Sequence, residues 1–353
     1  MSDVSKLYNM IKDANASWSH FSRFLELPSG KLKPFFNLAQ EITRQHFGNI
    51  LKIYIPNIKF HAISVTGGEC ALDCAHCNRK YLDGMKAIRS ELDLEKHLLN
   101  HYNNGGVGVL ISGGCELDGS VPLINFLDSI KKVKNQTNNK LIINTHTGLL
   151  NEETAKKLAE ANVDIVSFDI NMDEDVIKEI YHLDKSVDDY KKAIVLLKKY
   201  KLNIVPHICI GLYYGRLHKE LESIKFIKES GIDPSLIVLI ALIPPKTSDV
   251  KFEKLSPIDI AKVITTIRFI FPSTEISLGC MRPRGVMKVE FEKRALVAGV
   301  TRIEIPSPRT LKWLKTINPN IKFKFYSACC AIPVEFENLA KSNESDIKRY
   351  LNI

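Results

Sequence analysis

Three cysteines fall within eight residues, in the run Gly67-Gly68-Glu69-Cys70-Ala71-Leu72-Asp73-Cys74-Ala75-His76-Cys77. The C-x3-C-x2-C spacing puts three thiolates on one short loop, just after the apolar stretch from Phe60 to Val65. Three thiolates so placed can hold three irons of a four-iron cluster, which leaves the fourth iron open to another ligand. A structural zinc site wants four closed ligands, commonly as two separated pairs, and here His76 could serve as its fourth.

The elements that must position this loop are legible around it. Short β-rich runs near 60–65, 107–112, 141–145, 163–169, 202–210, 235–243, 274–278 and 301–305 alternate with amphipathic helical runs. Those helices are predicted at Leu92 to Tyr102, Val121 to Val133, Asn151 to Ala161, Ser186 to Tyr200 and Leu217 to Gly231. Eight strands interleaved with helices suggest an α/β (β/α)8 barrel of TIM type, in which chemistry gathers at the C-terminal strand ends. The cysteine loop follows the first of these strands. Residues 1–55 are expected to be a helical lead-in, with helices over Lys6 to Leu25 and Lys31 to Phe47, and residues 56–310 the barrel. Residues 311–353 are expected to form an extension: a short run from Lys322 to Tyr326, the pair Cys329-Cys330 and a closing helix from about Val334 to Leu351.

Composition bounds the function. A chain of 353 residues with 45% hydrophobic content can bury a full core. No apolar run reaches membrane-spanning length and the start is polar, so a cytoplasmic protein with no membrane role is expected. Eight cysteines then argue for metal or redox chemistry, not for a disulfide framework. The net charge of +9 is spread through Lys-rich helices such as Lys191 to Lys201, without an aromatic-interleaved basic stripe, so no nucleic-acid partner is expected.

The cysteine loop, the strand pattern and the lead-in Ala39-Gln40-Glu41-Ile42-Thr43-Arg44-Gln45-His46-Phe47-Gly48-Asn49 together resemble the biotin-synthase-like branch of the radical S-adenosylmethionine (SAM) superfamily. The similarity runs over about residues 39 to 335. More narrowly, Val205-Pro206-His207 with Gly211-Leu212, Leu278-Gly279-Cys280-Met281-Arg282-Pro283-Arg284-Gly285 and the terminal Cys329-Cys330 look like archaeal homologues that serve as one component of a two-protein lipoyl synthase.

That resemblance implies a [4Fe-4S] cluster on Cys70, Cys74 and Cys77, with SAM on its open iron and a 5′-deoxyadenosyl radical as its product. It implies SAM contacts at the second strand's end, Ser112-Gly113-Gly114-Cys115-Glu116, where this chain inserts Cys115 before Glu116. Further polar groups toward the same rim are Asn144 and His146 after strand three, and His207 and Gly211 on strand five. Asn171 and Asp173 resemble a ribose-binding Asn-x-Asp element, and as cap-type residues they also suit a helix start. Arg282 and Arg284 suit either a SAM or substrate carboxylate or pairing with surface acids.

Five cysteines exceed the needs of one cluster. Cys280, Cys329 and Cys330 should reach one rim and are expected to hold an auxiliary [4Fe-4S] cluster, completed by Cys115 or a hydroxyl such as Ser327. The implied activity is sulfur insertion into the octanoyl chain of an octanoylated lipoyl carrier domain or peptide. A companion radical SAM lipoyl synthase component and a reduced ferredoxin-type electron donor are the implied partners. No cysteine precedes Cys70, and the C-terminal Arg-Ser-Ser-Tyr element of bacterial lipoyl synthases is absent, which excludes their arrangement. A biotin-synthase-like or other cofactor-biosynthetic enzyme, and a non-catalytic metal-binding protein, are the alternatives.

Overall fold

The computed structural model describes residues 3–56, 58–245 and 250–351. Its centre is one parallel sheet of eleven strands: β1 (Ile50–Tyr54), β2 (Phe60–Ser64), β3 (Lys86–Ala87), β4 (Gly108–Ser112), β5 (Ile142–His146), β6 (Ile165–Asp169), β7 (Ile204–Ile210), β8 (Leu236–Ala241), β9 (Glu275–Leu278), β10 (Arg302–Glu304) and β11 (Lys322–Tyr326). The order is β11-β1-β10-β9-β8-β7-β6-β5-β4-β2-β3. All eight strands expected from sequence are present in chain order around a curled sheet, giving an α/β half-barrel of TIM type. Buried almost along its whole length, Leu236–Ala241 reads as a continuous Leu/Ile/Val run instead of an alternating one.

Three further strands widen the sheet. β1 comes from the expected lead-in and β11 from the expected extension, and they pair in register from Ile50↔Lys322 to Tyr54↔Tyr326. β3 adds two residues beside β2 after the cysteine loop. The lead-in itself holds three helices, Asp3–Lys12, Trp18–Glu26 and Lys33–Phe47, not two. The first expected helix breaks because Ala14 adopts φ 55° and Ser17 starts a new helix in a capping box with His20. The closing helix also divides, into Glu337–Ala340 and Glu344–Leu351. Between them Lys341 bridges to Tyr326, and Asn343 caps the second piece by accepting the Asp346 N–H at 2.8 Å.

Among the described residues no strand pairing joins β3 to β11, and the C-terminal segment fills the opening. Ala328, Ala331 and Ile332 pack against Phe60, Ile142, Ile165, Val205 and Leu236 at the N-terminal strand ends, plugging that mouth of the barrel. Lys59 reaches Asp346 at 2.7 Å across the seam. Inside the plug, Arg302 pairs with Glu275 and Glu337, and Lys52 reaches the same two carboxylates at 2.7 and 2.6 Å. Buried charges persist only where each finds a partner, so this network ties β1, β9 and β10 to the tail. The opposite rim is left to the loops.

Candidate active site

The cysteine loop is held to the β4 turn by backbone geometry. Ala71 N–H donates to Cys115 O at 2.8 Å, Cys115 N–H points at Cys70 Sγ at 3.2 Å, and Gly114 N–H donates to Thr66 Oγ1 at 2.7 Å. A Cβ on residue 114 would lie 2.0 Å from Glu69 O and 2.6 Å from Cys70 Cα, so only glycine fits there. The far side of the loop is fastened too: Ala75 N–H donates to Ile180 O at 2.8 Å, and Lys80 Nζ donates to Ile243 O at 3.0 Å.

All eight cysteines are free thiols. Burial pushes the Cys74 thiol well above its usual range, helped by the charge of Cys77, Cys115 and Cys70 close by. Burial and Cys70 likewise push Cys115 up to about 12. Thiols this reluctant to ionise in apolar surroundings become thiolates on binding a cation, which is the donor set an iron–sulfur cluster requires. Cys115 thus sits with the Cys70 loop and not with Cys280, Cys329 and Cys330. This corrects the expected ligand set, because the β4–loop clamp carries Cys115 toward Cys70. His76 packs against the Tyr181 ring at 5.2 Å, filling an aromatic position beside the loop.

Next to the loop, a pocket opens between the ends of β6 and β7, lined by Asp169, Asn171, Asp173, Cys209, Tyr213 and His218, among others. Asn171 and Asp173 are both buried, and Asn171 Nδ2 has no hydrogen-bond partner. A buried amide without a partner marks a place for a polar ligand atom. Asp173 does two jobs. Its Oδ1 accepts the N–H of Asp175 at 3.0 Å and Val176 at 3.3 Å, capping the helical turn Val176–Ile180, while Oδ2 accepts from His218 Nδ1 at 2.7 Å. His218 stacks on Tyr213 at 4.1 Å. Gly211 takes φ 81°, and its N–H donates to Glu220 Oε1 at 2.8 Å, while Glu220 Oε2 accepts from His218 N–H at 2.7 Å. Sequence reasoning missed His218 and Glu220, whose only signal was a His-Lys-Glu run shortly after the Gly211 turn.

The other expected contacts divide. His207 and Cys209 share the inward face of β7, and His207 meets His146 edge-on at 4.8 Å. His146 Nδ1 stands 3.9 Å from Asp169. Asn144 is buried, its Oδ1 accepting from Ser167 Oγ at 2.9 Å and its Nδ2 unpartnered. Ser112 Oγ is committed to His146 O at 3.1 Å. Glu116, by contrast, is exposed, because the extra Cys115 pushes it into the turn whose backbone closes on Ser120 and Gly119. Arg282 takes the acid-pairing alternative, with a buried acid in place of a surface one. It is 2% exposed and binds Glu292 Oε1 at 2.6 Å together with the carbonyls of Gly279 and Glu304, so it clamps the loop after β9, while its Nε has no hydrogen-bond partner. Arg284 is exposed.

Cys280, Cys329 and Cys330 do converge. The Cys280 thiol is close enough to Glu304 and Cys329 to feel their charge, and Cys330 N–H donates to Glu304 Oε2 at 3.3 Å. Ser327 is not with them: its hydroxyl is taken by Ser342 and Asp346.

Comparison with known proteins agrees with this geometry. Residues 64–224, from the end of β2 through the loop and pocket, match the Radical SAM superfamily. The chain is 25% identical over 281 residues to the biotin synthase of Buchnera aphidicola subsp. Schizaphis graminum, covering 77% of this chain and 78% of that one. It is 24% identical over 304 residues to the biotin synthase of Bacillus cytotoxicus, covering 82% and 86%. Among solved structures, the fold is similar to the FeFe-hydrogenase maturase HydG from Carboxydothermus hydrogenoformans, with a TM-score of 0.66 at 16% identity over 86% of this chain and 70% of that one. It is also similar to methylornithine synthase (PylB), with a TM-score of 0.60 at 15% identity over 98% and 100%. Among the described residues no helix is long and apolar enough to cross a membrane. The three-thiol loop, clamped over a glycine turn at the rim of a parallel half-barrel, lies within the stretch of this chain that is similar to the Radical SAM superfamily.

Proposed function

We propose that this radical SAM enzyme works in cofactor biosynthesis in the manner of the biotin synthases it resembles, functionalising an unactivated aliphatic carbon. The observation that carries this reading is the junction of loop and turn: the three-cysteine loop is clamped through Cys70 to the turn at Gly114, beside a pocket lined by Asn171, whose side-chain nitrogen has no hydrogen-bond partner. The three thiols would hold a [4Fe-4S] cluster, and bound SAM would supply a carbon radical able to take hydrogen from a C–H bond that has no useful acidity. The chain's own part is to bind, orient and keep water away. Asn171, Asp173 and Asn144 offer polar contacts, and Gly114 lets backbone come close to the ligand. The barrel's other mouth is closed by its C-terminal plug, which limits access to the loop-bearing rim.

A second reading is favoured by one specific observation, the meeting of Cys329 and Cys330 with Glu304, whose charge also reaches Cys280 after β9. An auxiliary [4Fe-4S] cluster there would suit sulfur insertion into the octanoyl-lysine of a lipoyl carrier domain, with a companion radical SAM protein and a ferredoxin-type donor. Anaerobic reconstitution separates the two readings: dethiobiotin converted to a sulfur-containing product supports the first, and thiolated octanoyl-lysine peptide supports the second. Failure to cleave SAM under strong reductant would remove both.

A further inference from the structure

Glu304 ends β10 and is 3% exposed. Strand order explains why cysteines surround it. β9 lies directly beside β10, so the chain leaving Leu278 delivers Cys280 to Glu304's side of the rim, and β11, two strands away, delivers Cys329 and Cys330. A carboxylate oxygen of Glu304 and the thiols of Cys329 and Cys330 all lie within 4.8 Å of one another. Cys280, an exposed residue, approaches from the β9 side, its thiol near enough to Glu304 and Cys329 to feel their charge.

The basic group whose charge this carboxylate feels, Arg282, gives its ion pair to another acid. Among the described residues Glu304 makes no ion pair. The guanidinium of Arg282 is committed elsewhere, to Glu292 at 2.6 Å and to the backbone carbonyls of Gly279 and Glu304. The carboxylate accepts the Cys330 N–H at 3.3 Å. A buried carboxylate facing three thiols with no ion pair is costly unless it stays protonated or a metal takes the missing charge. Three soft sulfur donors with one hard oxygen donor form a complete four-ligand set.

We propose that Glu304 supplies the fourth ligand, a carboxylate oxygen, to an iron–sulfur cluster held by Cys280, Cys329 and Cys330. This deepens, and rests on, the auxiliary-cluster reading above. Oxygen is a weaker donor to cluster iron than thiolate, so the Glu304 corner is the one that exchanges its ligand most readily. Neither Cys115 nor Ser327 takes that place, the first being clamped to Cys70 and the second hydrogen-bonded to Ser342.

The test uses full-length protein reconstituted anaerobically with iron and sulfide, comparing wild type with Glu304→Gln, Glu304→Cys and Cys329→Ala. Iron is counted chemically, the reduced clusters are recorded by electron paramagnetic resonance, and circular dichroism checks folding. The expected wild-type iron is about eight per chain, in line with two four-iron clusters. Glu304→Gln should fall toward about seven, with a new three-iron signal on oxidation, while Glu304→Cys should keep about eight with a shifted resonance. Folded Glu304→Gln with wild-type iron and an unchanged spectrum would overturn Glu304 as a ligand, leaving it a protonated acid, even where Cys329→Ala drops to about four. A wild type holding only about four irons, unaltered by Cys329→Ala, would overturn the auxiliary cluster and the Glu304 assignment together.

Discussion

The backbone N–H of Cys115 points at the thiol of Cys70 from 3.2 Å. One amide therefore couples the turn after β4 to the first cysteine of the loop after β2, and a donor aimed at a cluster sulfur stabilises its charged form. Strand neighbours β2 and β4, paired from Phe60↔Gly108 to Ser64↔Ser112, set the spacing.

That coupling depends on Gly114. Gly114→Ala places a methyl 2.0 Å from Glu69 O, so the loop must move off the turn. Overpacking of this kind costs about 1–3 kcal/mol. The expected result is a folded protein by circular dichroism with much reduced cluster iron and SAM cleavage. Wild-type iron and activity in Gly114→Ala would separate the turn from the loop.

Asp173→Asn keeps an oxygen for the Asp175 and Val176 amides while removing the charge that faces His218. Loss of one charge-assisted contact, about 1.5–3 kcal/mol, should weaken SAM binding roughly ten- to over a hundredfold with iron content unchanged. Equilibrium titration checks it; unaltered affinity would reduce Asp173 to a helix cap.

Arg282 and Glu292 form a buried pair, 2% and 0% exposed. Arg282→Met strands Glu292 and frees the loop that carries Cys280, at a cost of about 3–5 kcal/mol. Urea unfolding measures it, and Arg282→Lys should recover only part, because an ammonium cannot reach Glu292 and two carbonyls as a planar fork does. An unshifted midpoint for Met would show that the pair holds nothing.

Burial, followed by the charge of neighbouring His146, lowers His207 to about 4 from its ordinary 6.5. As pH falls from 6.5 to 4 the unfolded chain gains this proton and the folded chain does not, so stability is lost across that window and retained above it. The loss from this ring approaches ~3 kcal/mol. His207→Phe should flatten the stability profile between pH 6.5 and 4; an identical slope would show that the ring is not held neutral.

Strands such as Leu236–Ala241 were legible in the sequence because a buried parallel strand reads as an unbroken Leu/Ile/Val run, and the thiol loop because its spacing is compact. β1 was hidden by Lys52, a charge that reads as surface until Glu275 and Glu337, from distant parts of the chain, neutralise it in the plug. The burial of Arg282 was hidden for the same reason. Its partner Glu292 lies ten residues on, and only folding shows the pair to be buried. His218 and Glu304 carry no local motif; each matters through what β-strand order sets beside it.

Formation of 5′-deoxyadenosine from SAM under strong anaerobic reductant, in wild type and in Cys70→Ala, Cys74→Ala and Cys77→Ala, tests the central claim most directly. The wild type should form it, and each variant should form none while keeping the circular dichroism of a folded barrel, since the loop sits at the rim and does not build the core. Undiminished 5′-deoxyadenosine in the folded variants would contradict the assignment of these thiols.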